Sequence, residues 1–171
     1  MMILAESMTL GVEVAFAQYE AIKPPFGLFW GEDSKTIERL LKGAKATVVE
    51  KRDVEGREAW TVEGLIQTSL KRSVFYFKKE RLVEVELQYE GSDWDAMKYN
   101  DFMSAVRRKI EKKYGTGRLI ARQKTPKDGV IQTLVGYKWE RNNTAIQLIY
   151  FAAESTTFNY RSVSVHYKGF Y

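Results

Sequence analysis

The chain has no cysteine among its 171 residues. Disulfides, a thiol nucleophile, thiolate metal sites and a lipid-bearing cysteine are therefore excluded from these residues. It has a single histidine, His166, so any serine-histidine-acid relay must pass through that residue, and a multi-histidine metal site cannot form. No run approaches the roughly 20 apolar residues that a membrane-spanning helix needs. Proline is scarce, at three residues, and no tract is rich enough in glycine, serine or proline to act as a free linker.

The bulk composition is that of a soluble globule with a sizeable core: 44% hydrophobic and 29% charged residues. A formal charge of +5 permits contact with phosphates, anionic headgroups or an acidic protein. Within this background two strings occur twice. Val85-Glu86-Leu87-Gln88-Tyr89-Glu90-Gly91 returns as Val163-Ser164-Val165-His166-Tyr167-Lys168-Gly169, and Phe75-Tyr76-Phe77 returns as Ile149-Tyr150-Phe151. Each half also places a helical pattern ahead of several strand patterns. The arrangement predicts an α+β fold of two tandem helix-plus-antiparallel-sheet units packed as one compact body. Residues 1–23 then form a leader or signal remnant, 24–91 the first unit and 92–171 the second.

Ala15-Phe16-Ala17 before Gln18 has the small-x-small form of a signal-peptidase site, whereas Glu6 and Glu13 interrupt the apolar stretch ahead of it. Two readings stand, a translocation signal and an amphipathic first element. Pro24-Pro25 separates this leader from the body, and Phe26-Gly27-Leu28-Phe29-Trp30-Gly31 reads as an aromatic strand or turn.

A first helix is predicted over Ser34–Lys42, started by Asp33 or Ser34 and closed by a left-handed Gly43. Strands follow over residues 46–52, 58–66, 72–78 and 81–89. In the last of these Val83, Val85, Leu87 and Tyr89 alternate with Glu84, Glu86 and Gln88. Ser92-Asp93-Trp94-Asp95 opens a second helix whose apolar residues Tyr99, Phe102, Met103, Val106, Ile110 and Tyr114 recur at helical spacing up to Gly115. Strands over 118–121, 130–140, 145–152 and 157–168 complete the chain. Asp53-Val54-Glu55-Gly56, Lys79-Glu80, Pro126-Lys127-Asp128-Gly129 and Asn142-Asn143 supply turns.

No residue cluster spells out a reaction. His166 alternates with Ser162 and Ser164 opposite Val163, Val165 and Tyr167, which reads as a solvated strand position. Asp93 and Asp95 flank Trp94 at a helix start, where capping explains them without a metal. Gly115-Thr116-Gly117 follows a helix and lacks the Lys-Ser/Thr of a phosphate loop. Asn142-Asn143-Thr144 fits the glycosylation sequon but reads as a turn between strands. Arg107, Arg108, Lys109, Lys112 and Lys113 crowd one end of the second helix, either as a solvated face or as a phosphate-contacting one.

The run Phe26–Gly31 before a capped helix, a strand pair ending at Val83–Tyr89, and a helix ending Lys112-Lys113-Tyr114-Gly115 resemble a known pattern. It is that of small exported bacterial proteins whose halves are similar to the SmpA/OmlA-type outer-membrane assembly lipoproteins and, more distantly, to the β-lactamase inhibitor protein. The resemblance implies an α+β repeat, export, and binding rather than catalysis. The expected function is that of a non-enzymatic, periplasmic binding module with no cofactor or metal. It recognises a protein or envelope component through its sheet surface and hairpin loops, with Arg122, Lys124, Lys127, Arg141 and Asn142 as partner-binding residues. The alternative is a cytoplasmic nucleic-acid-binding protein that uses the basic end of the second helix.

Overall fold

A computed structural model describes residues 20–169 of the protein. The Ala15-Phe16-Ala17 leader reading falls outside the described residues. Helix α1 (Ser34–Gly43) precedes strands β1 (Thr47–Val54), β2 (Arg57–Glu63), β3 (Leu70–Lys78) and β4 (Arg81–Tyr89). Helix α2 (Ala96–Tyr114) precedes β5 (Arg118–Lys127), β6 (Val130–Arg141), β7 (Thr144–Glu154) and β8 (Asn159–Gly169).

All eight strands belong to one antiparallel sheet in the order β1-β2-β3-β4-β8-β7-β6-β5. This corrects the expected α+β fold of two tandem helix-plus-antiparallel-sheet units. Strands hold 52% of the described residues and helices 19%, so the fold is mainly β and its sheet is continuous. The physical reason lies in β4 and β8. Both are amphipathic ribbons that would otherwise end in open edges, and pairing them satisfies both rows of main-chain groups.

Tight hairpins build the sheet. Glu55-Gly56, Lys79-Glu80, Asp128-Gly129 and Asn142-Asn143 each place two successive residues at positive φ, as two-residue turns matched to strand twist require. Pro126 and Lys127, expected in a turn, instead extend β5. Proline is tolerated there because β5 is an edge strand and its missing N–H faces no neighbour.

Capping sets the helix limits. Asp33 accepts from the Lys35 N–H at 2.9 Å and Asp95 from the Lys98 N–H at 2.8 Å, so Asp95 is a cap, as the sequence indicated. Gly43 does not take the expected left-handed closing position. It ends α1 itself, and the left-handed residue is Lys45, at φ 57°.

Only one face of the sheet carries the helices. Val85, Leu87 and Tyr89 lie opposite Tyr167, Val165 and Val163 across the β4–β8 seam, and all but the partly buried Tyr167 are buried. Ile37 and Leu41 of α1 and Tyr99, Met103 and Ile110 of α2 join the same core. A strap, residues 22–28, crosses this face and touches both helices. Its Ile22 is fully buried and donates its N–H to Thr144 Oγ1 at 2.8 Å. The Trp30 indole donates to the Ile22 carbonyl at 2.7 Å and lies over Gly169, where a Cβ would stand 2.5 Å from the ring.

Lys79 and Glu80 hold φ of 49° and 61° without the freedom of glycine. Left-handed backbone costs an L residue about 1 kcal/mol, so Glu80→Gly raises unfolding free energy by about that amount. Urea denaturation of the two proteins checks this; an unchanged or lower midpoint contradicts it.

Candidate functional site

The face without helices carries an ordered polar tract centred on the β4–β8 seam. Strand alternation places Glu84, Glu86 and Gln88 on this face opposite Lys168, His166 and Ser164. Glu84 is 6% exposed yet keeps its charge in company. Arg57 Nη1 donates to its Oε2 at 2.7 Å, while His166 Nδ1 stands 3.3 Å and Lys168 Nζ 3.6 Å from its Oε1. Burial pushes the Glu84 carboxyl up, but hydrogen bonds and charge from His166, Lys168 and Arg57 outweigh it and leave it below the ordinary carboxylate value.

Beside it, Glu86 accepts from the Tyr76 hydroxyl at 3.1 Å and from Gln88 Nε2 at 2.7 Å. Arg57 also lies over the Tyr76 ring, 4.8 Å from its centroid. Burial, reinforced by the negative Glu86, raises the Tyr76 phenol and keeps it a hydrogen-bond donor. Toward β5 the tract continues through Lys138, 2.5 Å from Glu140, and Arg118, 3.4 Å from the same carboxylate. These outer pairs are more exposed, so solvent screens them and they contribute little to stability. Glu84 differs because its removal leaves partly desolvated cations unpaired.

Ser164, His166 and Glu84 have the order of a hydroxyl-imidazole-carboxylate relay. Ser164 Oγ lies 3.1 Å from His166 Nε2, and Glu84 takes the other ring nitrogen. His166 is thus a bridge between strands, and the reading of it as merely solvated is too weak. Acyl transfer additionally needs donors aimed at a developing oxyanion. Here β8 is hydrogen-bonded to β4 on one side and β7 on the other, so the main chain around Ser164 is committed to the ladder. The arrangement orients charge and rigidifies a surface. No group of three or more acidic, histidine or cysteine side chains among the described residues is placed to hold a metal.

Arg122, Lys124 and Lys127 lie on β5, which runs six residues further than the sequence indicated, and all three are exposed. Arg122 and Lys124 face the helix side, opposite Val135 and Thr133, and Lys127 faces the other side, opposite Val130. Arg141 stands apart from them. Its guanidinium donates to the Tyr114 carbonyl and to its own neighbour Glu140, closing the end of α2. Asn142 forms the adjacent turn. The partner-binding residues expected from sequence therefore split into an exposed basic hairpin and a helix-capping corner.

No family model, curated protein or solved structure matches the chain.

The basic end of α2 is divided as well. Arg107 is bound to Glu111 at 2.9 Å and stacks over Tyr137 at 4.1 Å, on the β6 side. Lys109 and Lys113 occupy the opposite flank beside the strap, leaving Arg108 and Lys112 facing outward. Five cations within seven residues do not make one phosphate-tracking surface.

Sequence reasoning missed the Arg57-Glu84-His166-Lys168 cluster, whose members come from β2, β4 and β8. The available signal was the wet alternation of both Glu84-Glu86-Gln88 and Ser162-Ser164-His166, which becomes a site only once β4 is known to pair with β8.

Because the folded Glu84 carboxyl titrates below its unfolded value, its contribution is complete above the unfolded value and disappears as pH falls through the folded one. Wild type is therefore expected to lose more stability than Glu84→Gln as pH drops below about 4.5. Urea titrations across that range decide it; parallel pH profiles contradict the assignment.

Proposed function

We propose that the protein is a non-enzymatic binding module of the cell envelope that recognises an acidic protein or envelope component through the sheet face opposite the helices and through its hairpin tips. The observation that carries this reading is the β5–β6 hairpin. Every residue from Arg122 to Gly129 is exposed, although these residues are paired in register with β6 or form its turn. A two-stranded ribbon gains little from burial on its own, so its order reflects the ladder rather than a core of its own. It presents Arg122, Lys124 and Lys127 against a single acid, Asp128.

Strand β5 is also one of the two edges of the sheet among the described residues, with main-chain groups directed away from β6 toward a partner strand. Pro126 removes one donor from that row and Arg122, Lys124 and Lys127 flank it, which discourages self-pairing and favours a partner of opposite charge. On the face that Lys127 shares, the polar tract runs from Glu84 across the sheet to Arg118 on β5 and adds a preorganised surface. Binding rather than catalysis agrees with the commitment of the β8 main chain on both sides. The envelope location rests on the Ala15-Phe16-Ala17 string before Gln18 and on the resemblance to exported SmpA/OmlA-like proteins.

Affinity capture from envelope extract, run with wild type and with the Arg122→Glu/Lys124→Glu/Lys127→Glu variant, tests the reading. Wild type is expected to retain a discrete partner that the variant loses and that moderate salt weakens. Failure to retain any partner, or capture indifferent to the variant, counts against it. Mass spectrometry of the native chain from the periplasmic fraction should give a start at Gln18; an intact chain confined to the cytoplasm would remove the envelope part.

A further inference from the structure

On the helix-bearing face, the strap leaves a pocket of about 290 Å³ where it passes the last turns of α2. Pro24 and Pro25 fix the strap as extended chain and offer no N–H of their own. Pro25, Ile110 and Ile146 give the pocket apolar walls, and Lys23, Lys109 and Lys113 line it as cations. Lys109 and Lys113 are one helical turn apart on the same flank of α2, and both are exposed.

Two phenols, Tyr114 and Tyr167, complete the lining. Burial raises the Tyr167 hydroxyl, Tyr114 adds to the shift, and no hydrogen bond offsets it. Tyr167 therefore stays a neutral donor at physiological pH.

Among the described residues, three lysines line the pocket and one acid, Glu20, is paired with one of them. Glu20 pairs with Lys23 at 2.6 Å in an exposed contact and also feels Lys113. The carbonyl end of α2 opposes an anion in principle. Here the Glu111 carbonyl accepts from the Gly115 N–H, the Tyr114 carbonyl accepts from Arg141, and just past the helix the Gly115 carbonyl accepts from the Trp139 indole at 2.9 Å, which reduces that opposition.

We propose that this pocket binds an amphipathic anion, a phosphate or carboxylate head on a short apolar stem. The head meets the ammonium groups of Lys23, Lys109 and Lys113 and the Tyr167 hydroxyl, and the stem lies along Pro25, Ile110 and Ile146. The site sits on the opposite face of the sheet from the Glu84 tract and does not depend on the function proposed above.

Isothermal titration of the full chain at low salt tests it, using octyl phosphate below its micelle concentration, inorganic phosphate and 1-octanol as probes. Octyl phosphate is expected to bind at least about tenfold more tightly than either fragment, and Lys109→Gln/Lys113→Gln to weaken it by at least about tenfold. Glu20→Gln should tighten binding by freeing Lys23, and Arg118→Gln on the other face should leave it unchanged. Octanoate titrated in parallel assigns the head group, and tighter binding of either amphipath than of the fragments supports the site. Absence of binding by both amphipaths, equal affinity for a fragment, or indifference to the double lysine variant overturns it. Both lysines are exposed, so the variant keeps the fold, and its circular dichroism spectrum verifies this.

Discussion

Strands β4 and β8 each end a four-stranded meander, and their pairing closes two sheet edges at once. The register is specified on both faces. On one side Val85, Leu87 and Tyr89 meet Tyr167, Val165 and Val163; on the other Glu84, Glu86 and Gln88 meet Lys168, His166 and Ser164. A slip by one residue would drive carboxylates into the core and apolar side chains into water, so this register has no neighbouring competitor of similar energy. The rest of the architecture follows. The helices and strap cover the apolar side, and the polar side acquires a charge tract that neither half could assemble by itself.

That division of labour explains why Glu84 can be nearly inaccessible on the face opposite the helices. Its neighbours Arg57, His166 and Lys168 shield it, and they arrive from both sides of the seam. The tract is thus a readout of correct assembly as well as a surface. The helix side solves a different problem. Trp30, Ile22 and Thr144 tie the strap to the start of β7, and the remaining gap beside α2 is bordered by cations and phenols rather than filled by core residues.

Much of the local structure is legible from the residues. The alternation from Glu84 to Tyr89, the aspartate caps, the helical spacing from Tyr99 to Tyr114 and the two-residue turns at Lys79-Glu80 and Asn142-Asn143 all follow from short-range chemistry, whereas Val83, expected on the face of Val85, joins Val74 and Tyr76 on the other side at an irregularity in the β3–β4 register. The global arrangement does not, because nothing local states which edge pairs with which. The echo between residues 85–91 and 163–169 suggested duplicated units, whereas the two segments are direct neighbours in one sheet. The outer half of β5 is not legible locally, because Arg122 to Lys127 carry no buried alternation and its length comes from the ladder with β6 alone. The Glu84 cluster was hidden for the same reason as the seam: residues 82 positions apart in the chain meet only across that pairing.

The most direct test is nuclear Overhauser spectroscopy of the backbone across the seam. The structure predicts interstrand cross-peaks that place Val85 opposite Tyr167, Leu87 opposite Val165 and Tyr89 opposite Val163. Cross-peaks shifted by one residue, or β4 and β8 amides that exchange rapidly as free edges, would contradict a continuous eight-stranded sheet.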